Sequence, residues 1–399
     1  MNTAILKPRI CLIAPGLLPV PATQGGAIET LMTSLADENE RQQRLDLTVV
    51  TPADTESNNR IVAYSHTHFI SIPDASPVRR FEHRWRNALL RRISRSYKPS
   101  PSAFYDQALQ SIRSEQFDAL ILEGGPANGI ASFDRCFPSK IWYHLHYTPA
   151  LEEPFNSSAS RVLTVSNFAG KVWSENCATH QPVLTVYNGI DTSRFTRKIN
   201  LQERQQIRRS VGFTDDDFVI LYCGRIIKEK GVLELLKAVA SINDSHVKLM
   251  IICSSNFGPS QLTPYVAKVT SLADSLGKRV VYTGYIPNIQ LVPYSKSADM
   301  QAIPSMCEEA AGLVGIEGMA AGLPLVVTHS GGLQEYVSSD CSIVVERDDN
   351  LIESLADAIL TLRDDPSKRA RMAQAGVERS RLFDTKAMYS QFVQACKPY

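Results

Sequence analysis

Four side chains in the second half of the chain have the types and spacing to hold an anion flanked by hydroxyl groups. Arg225 and Lys230 lie in "CGRIIKEKG", residues 223–231, directly after the apolar run "FVILY". A guanidinium clasps oxyanions in a planar fork, and an ammonium acts as a compact point charge. Glu309 and Glu317 bracket the small-residue run Ala310-Ala311-Gly312 in "SMCEEAAGLVGIEGMAAGLP", residues 305–324. A helix opening near Gly312 leaves the amides of Gly312, Leu313 and Val314 unpaired at the positive end of its dipole, which favours an anion. The two carboxylates then flank the anion and accept hydrogen bonds, for which sugar hydroxyl pairs are the natural donors. A diphosphate with a hydroxyl-bearing group at each end, as in a nucleotide diphosphate sugar, satisfies the set. Taken singly, each carboxylate reads as a helix-stabilising acid or an exposed glutamate. Glu308 competes with Glu309 for the inward role, and the spacing to Glu317 favours Glu309.

A second glycine-bearing turn follows the first apolar run. In "ATQGGAIETL", residues 22–31, Gly25 and Gly26 present no side chain, and a helix starting near Ala27 exposes its first amides. The spacing is not the G-x-G-x-x-G of a dinucleotide fold, and the bland alternative is a tight turn that needs glycine.

These residues must be positioned by alternating short apolar runs and amphipathic stretches. "RICLIAP", "LDLTVVTP", "FDALILEGG", "KIWYHLHY", "RVLTVS" and "PVLTVYNGID" read as buried strands of a parallel sheet, with helices such as "AIETLMTSLADENER" between them. The pattern restarts with "DFVILYCG" and continues through "HVKLMIICSS", "RVVYTGY", "ADMQAIPS", "LPLVVTH" and "CSIVVE". The expectation is an α/β protein of two doubly wound, Rossmann-like domains facing each other across a cleft, where open sheets bind ligands beyond the carboxyl ends of their strands. Residues 1–185 form the first, 186–380 the second, and 381–399 a final helix that crosses back to the first. A length of 399 residues suits two or three domains.

Composition excludes several classes. Charge is nearly balanced, 42 basic against 41 acidic residues, so no global field selects nucleic acid. No apolar run reaches the ~18–20 residues that span a bilayer. The eight cysteines form no C-x-x-C pair and read as reduced thiols of a cytosolic protein rather than zinc ligands or disulfides. Asp215-Asp216-Asp217 resembles a metal-binding D-x-D but sits between a helix-ending Gly212 and a buried strand, so a solvated turn is expected, and no metal.

Residues 78–98, "VRRFEHRWRNALLRRISRSYK", stand apart. Phe81, Trp85, Leu89, Ile93 and Tyr97 recur every four residues, one helical stripe among Arg79, Arg80, Arg84, Arg86, Arg91, Arg92, Arg95 and Lys98. Two readings stand: a helix packed on the first domain by that stripe, or one that meets an anionic membrane surface or lipid-phosphate acceptor.

Together "GRIIKEKG", "EAAGLVGIE", "GMAAGLPLVVTHSGGLQEYV" and "VYNGID" resemble the family 4 retaining glycosyltransferases of GT-B fold. The likeness is strong in residues 186–345 and looser before residue 150. It implies that Arg225 and Lys230 bind the donor diphosphate and stabilise the leaving group, that Glu309 holds donor-sugar hydroxyls, and that Glu317 holds the ribose. It implies that Gly25 and Gly26 close on the phosphate side. It places His146 of "WYHLHYTP" near the reacting sugar, with His144 as the competing candidate, and the Tyr285–Ile286 backbone against the base. Ser166 and Asn188 match cleft-facing positions. Ala311 stands where such enzymes often carry an aromatic residue, which changes one wall near the sugar.

The expected activity is transfer of a hexose-type sugar, with retention, from a nucleotide diphosphate sugar. The donor is UDP-linked, and the acceptor is a hydroxyl of a glycan or lipid-linked glycan. No cofactor or metal takes part; front-face attack uses the leaving phosphate as base. The expected location is cytoplasmic, peripheral at the inner membrane face, in polysaccharide biosynthesis. Rival readings are a catalytically inactive partner subunit and a GT-B-fold epimerase or phosphorylase.

Overall fold

The computed structural model describes residues 7–93, 102–125, 130–148, 157–253 and 263–397. The chain divides into two compact units, Met1–Gly189 with Thr385–Tyr399, and Ile190–Asp384.

Unit 1 is built on a seven-stranded sheet, all of whose pairings are parallel. Its strands are β1 (Arg9–Ile13), β2 (Asp46–Pro52), β3 (Thr67–Ile72), β4 (Ala119–Glu123), β5 (Ile141–Leu145), β6 (Arg161–Thr164) and β7 (Val183–Thr185). Their spatial order is β3-β2-β1-β4-β5-β6-β7. Every residue of β4, β5 and β6 is buried, which is why these strands read as unbroken apolar runs rather than alternating ones. The helix Thr385–Ala395 belongs to this unit. Tyr389 Oη donates to Asn39 Oδ1 at 2.6 Å, and Arg161 Nη1 donates to the Ala395 carbonyl at 2.6 Å.

Unit 2 repeats the plan with six parallel strands in the order β10-β9-β8-β11-β12-β13. These are β8 (Phe218–Gly224), β9 (Val247–Cys253), β10 (Val280–Gly284), β11 (Met300–Ile303), β12 (Leu325–Thr328) and β13 (Ser342–Val345). Alternate side chains of β8 serve opposite faces. Phe218, Ile220 and Tyr222 join Leu235, Leu236, Leu355 and Ile359 in one core, while Val219 and Leu221 join Phe213, Met250 and Leu323 in another. Each such fully buried Leu or Ile contributes about 1.5–3 kcal/mol over an exposed one.

The amino end of this second sheet is tied by charge. Arg208, fully buried, donates to Asp299 Oδ2 at 2.6 Å and to the carbonyls of Ser297 and Asp217 at 2.9 and 2.8 Å. Asp215-Asp216-Asp217 does form a turn, but Asp217 is not solvated. Its Oδ2 accepts from the amide and hydroxyl of Thr214 at 2.7 and 3.0 Å, and its Oδ1 lies 3.8 Å from Lys248 Nζ. The expectation of a wholly solvated turn failed because one of three adjacent carboxylates can cap a strand entry while its neighbours face water.

The arginine-rich segment is helical over Pro77–Ile93. Its apolar stripe does not pack inward: Val78, Phe81, Trp85, Leu89 and Ile93 are exposed. The reading in which that stripe packs on the first domain is therefore excluded. Arg95, Tyr97 and Lys98 lie outside the described residues. No helix among the described residues is long and apolar enough to cross a membrane.

Candidate active site

In unit 2, β8 and β11 are neighbours although the chain winds away from them in opposite directions, so the crevice at their carboxyl ends is the topological switch point. Two loops leave there. The loop after β8 carries Arg225 and the 3₁₀ turn Lys228–Lys230, and the loop after β11 carries Pro304 to Gly312. They touch through backbone. Gly231 has φ +66°, and a Cβ on it would lie 1.8 Å from the Pro304 carbonyl oxygen. The Met306 amide donates to the Glu229 carbonyl at 2.8 Å. Only glycine tolerates both that conformation and that approach.

This contact brings Lys230 to Glu309. Lys230 Nζ donates to Glu309 Oε1 at 2.5 Å, and Ser305 Oγ donates to the same oxygen at 2.6 Å. Ser330 Oγ accepts from the Glu309 amide at 3.1 Å and donates to the Cys307 carbonyl at 2.6 Å. The Glu309 carbonyl accepts from the Gly332 amide at 2.7 Å. The lysine and glutamate side chains remain 27% and 17% exposed, so a ligand can reach them. Arg225 is exposed, and its guanidinium has no ion pair among the described residues. Glu308 turns away to pair with Arg347, so Glu309 is the glutamate at the lysine.

The helix beside them runs Leu313–Ala321, with Gly312 at its N-cap and no side chain capping it. The amides of Leu313, Val314 and Gly315 thus have no intrahelical acceptor. A Cβ on Gly312 would lie 2.7 Å from Leu333 Cδ1, so the turn packs tightly on the neighbouring segment. Glu317, half-buried on this helix, has no hydrogen-bond partner among the described residues. Desolvation pushes its carboxyl up to about 7, with Arg194 offsetting part of the rise. Such a group is an acceptor in want of donors.

Other expected residues, two in unit 2 and two in unit 1, are placed as follows. Tyr285 is exposed, and Ile286 is buried in the second of the two cores. Asn188 is buried. Ser166, fully buried, caps the helix Asn167–Asn176 by accepting from the Ala169 amide at 3.1 Å.

In unit 1 the switch point lies between β1 and β4. Gly25 and Gly26 follow β1 with φ +83° and +93°, and Gly26 is the N-cap of the helix Ala27–Gln42. A Cβ on Gly25 would meet nothing within 4 Å, whereas one on Gly124, at the end of β4, would meet Ile28 at 2.8 Å and His146 at 3.8 Å. The turn, the first residues of its helix and His146 therefore share one end of the sheet.

His146 is not alone there. Glu123 Oε2 accepts from His146 Nε2 at 2.8 Å and from His144 Nδ1 at 2.9 Å. The carboxylate side chain is only 1% exposed. Burial alone would raise its pKa, but His144 and then His146 outweigh burial and hold the carboxyl below its ordinary range. Burial, reinforced by His144, lowers His146 despite Glu123, so at neutral pH the imidazole is uncharged. With Nε2–H given to Glu123, the partnerless atom is Nδ1, a lone pair. Among the described residues these three offer a group of cation-ligating atoms, all within 4.8 Å of one another. The two hydrogen bonds use Glu123 Oε2, His144 Nδ1 and His146 Nε2, and leave Glu123 Oε1, His144 Nε2 and His146 Nδ1 without a partner.

Glu123, Ser305, Ser330 and Gly231 were missed by motif reasoning. Glu123 carries a legible signal, a carboxylate closing the apolar run "ALILE". The serines carry none, because their roles depend on which loops meet.

Residues 203–379 match the family model "Glycosyl transferases group 1". The chain is 32% identical over 221 residues to the uncharacterized glycosyltransferase MJ1607 of Methanocaldococcus jannaschii, covering 55% of this chain and 52% of that protein. It is 33% identical over 198 residues to D-inositol 3-phosphate glycosyltransferase of Corynebacterium glutamicum, covering 48% and 46%. The chain thus spans about half the length of these relatives. Its fold is similar to that of Anabaena HepE, whose crystal structure holds UDP-glucose, with TM-score 0.73, 19% identity and coverage of 97% and 98%. Over residues 203–379 the chain is thus similar to the group 1 glycosyl transferases, and its two parallel-sheet units have the GT-B fold.

Proposed function

We propose that this protein transfers a hexose-type sugar from a UDP-linked donor to a hydroxyl of a glycan or lipid-linked glycan, with retention and without a metal. The observation that carries the reading is the Lys230–Glu309 pair at the switch point of unit 2, beside an uncapped helix start. Arg225, Lys230 and the first amides of that helix supply fixed positive charge where the leaving diphosphate gains negative charge. Glu309 takes hydroxyls of the donor sugar, and the partnerless Glu317 takes those of the ribose. The backbone at Tyr285 and Ile286 meets the base, and Asn188 is assigned to donor binding.

In unit 1, His146 is assigned to the reacting sugar and Gly25–Gly26 to a phosphate. The bond from the anomeric carbon to the phosphate oxygen breaks, and one to the acceptor oxygen forms on the same face. The acceptor proton passes to the leaving phosphate. HepE is recorded with UDP-glucose, which favours a UDP-linked donor.

The test is turnover of a panel of nucleotide sugars in the presence of chelator, with the anomeric product followed by NMR. Release of UDP with a retained anomer supports the reading. Loss of activity on chelation refutes metal independence. Failure of every donor to bind by calorimetry refutes the transfer reading and leaves a partner subunit.

A further inference from the structure

We propose that the helix Pro77–Ile93 docks unit 1 on an anionic phospholipid bilayer, laying its apolar stripe into the interface. The helix is amphipathic in the wrong sense for a soluble domain. A surface helix turns its apolar face to the core. Here the face toward the rest of unit 1 is polar. His83 Nδ1 pairs with Asp106 Oδ2 at 2.6 Å, Arg86 pairs with the same carboxylate, and Asn87 is buried with its Nδ2 3.1 Å from His83 Nε2. The opposite face carries Phe81, Trp85, Leu89 and Ile93 at 65%, 60%, 40% and 71% exposure, with Val78 one turn before. These run along about 18 Å of helix at 1.5 Å per residue. A row of two aromatic and two branched aliphatic side chains facing water is a patch that demands an occupant.

Charge decides which occupant. The helix holds six arginines, Arg79, Arg80, Arg84, Arg86, Arg91 and Arg92, against one acid, Glu82, within a chain of almost no net charge. Glu82 lies on the apolar side near the helix start and opposes insertion only there. A protein partner would need a comparably acidic groove, whereas an anionic bilayer offers both an apolar layer and a negative surface in one plane. Tryptophan at such a boundary keeps its ring in the headgroup region and its N–H hydrated. The inference stands apart from the transfer reaction, since binding to lipid requires neither donor nor acceptor.

The experiment is co-sedimentation of the full chain with vesicles of phosphatidylcholine alone or with added phosphatidylglycerol, at low and raised salt, without nucleotide. Binding to the anionic vesicles, weakened by salt, is expected, with little binding to the neutral ones. Of the three tryptophans, Trp142 and Trp173 are buried, so a blue shift of emission on binding reports Trp85. Trp85→Phe abolishes the shift but keeps the binding. Phe81→Ser with Trp85→Ser weakens binding at least tenfold, and Arg92→Ala weakens it by about fivefold. These side chains are exposed, and an unchanged thermal melt confirms that each variant folds. No sedimentation with anionic vesicles, or full binding by the double serine variant, overturns the proposal. So does a lipid-free dimer that the double variant dissolves, because a second copy would then own the stripe.

Discussion

Lys230 donates to Glu309 at 2.5 Å, so the cation assigned to the diphosphate is held, before any donor arrives, by the carboxylate assigned to the sugar. A donor that brings phosphate to one partner and hydroxyls to the other exchanges one charge pair for two ligand contacts. The site is therefore ordered without being self-satisfied. Lys230→Ala should lower kcat/KM by about 10²–10³-fold, the loss seen when one preorganised charge-stabilising donor is removed. Because both side chains are partly exposed, its melting temperature should fall little, in line with about 1 kcal/mol. Steady-state kinetics beside a thermal melt would separate the two effects, and a variant that keeps full activity would remove Lys230 from the site.

Glu317 predicts a pH dependence of its own. Its carboxyl is raised from 4.5 to about 7, so the folded protein binds a proton more readily than the unfolded chain between those values. The charged form is thus a liability of the fold: absent below the lower value and complete above the upper one. Glu317→Gln should stabilise the free protein at pH 8 by about 3 kcal/mol, and the gain should vanish near pH 4.5. If ribose hydroxyls donate to the carboxylate, UDP affinity of the native protein should also drop below about pH 7, by up to tenfold per unit, and the Gln variant should lose that slope. Calorimetric titration at several pH values checks both halves.

Ser305 orients rather than reacts. Its hydroxyl donates to Glu309 at 2.6 Å, and its own carbonyl accepts from Thr328 Oγ1 at 2.6 Å. Ser305→Ala should cost about 1 kcal/mol of stability through the lost buried hydrogen bond. If the hydroxyl sets the geometry of Glu309, kcat should fall several-fold while the KM for nucleotide moves little. Equal losses in both would mean a merely structural role.

Glu123 should govern acid stability of unit 1. Its carboxyl is depressed, so its contribution is complete above the ordinary glutamate value of 4.5 and is lost as pH falls through its folded value. Glu123→Gln should destabilise by about 3 kcal/mol at pH 7, because two buried imidazoles lose their anionic partner. The gap from the native protein should close on acidification. A variant whose melt tracks the native one at every pH would show that the histidines are held by packing alone.

Much of this was legible in the residues, and the reasons it was or was not are specific. Strands β4, β5 and β8 were readable because burial on both faces makes their apolar runs continuous. Lys230, Glu309 and Gly312 were readable because they lie within short segments at strand ends, where sequence order and space coincide. Two sequence-distant loops locked by Gly231 and Pro304 were not, since the approach that requires the glycine is tertiary. The choice between Glu308 and Glu309 had rested on spacing; the geometry adds Arg347, which draws the former away. The outward face of the helix Pro77–Ile93 was undecidable from periodicity, which fixes that a stripe exists but not which way it turns.

The second unit also has a property of its own ends. Its first residue, Ile190, bridges Asp384, its last, and the Ile190 amide donates to the Phe383 carbonyl at 3.0 Å. Its two ends are thus stitched together, as in a cassette inserted into a host. Such a module can be exchanged between homologous proteins by two cuts at one point in space. Closing the host with a short linker from Gly189 to Thr385 would then ask whether unit 1 folds without its guest.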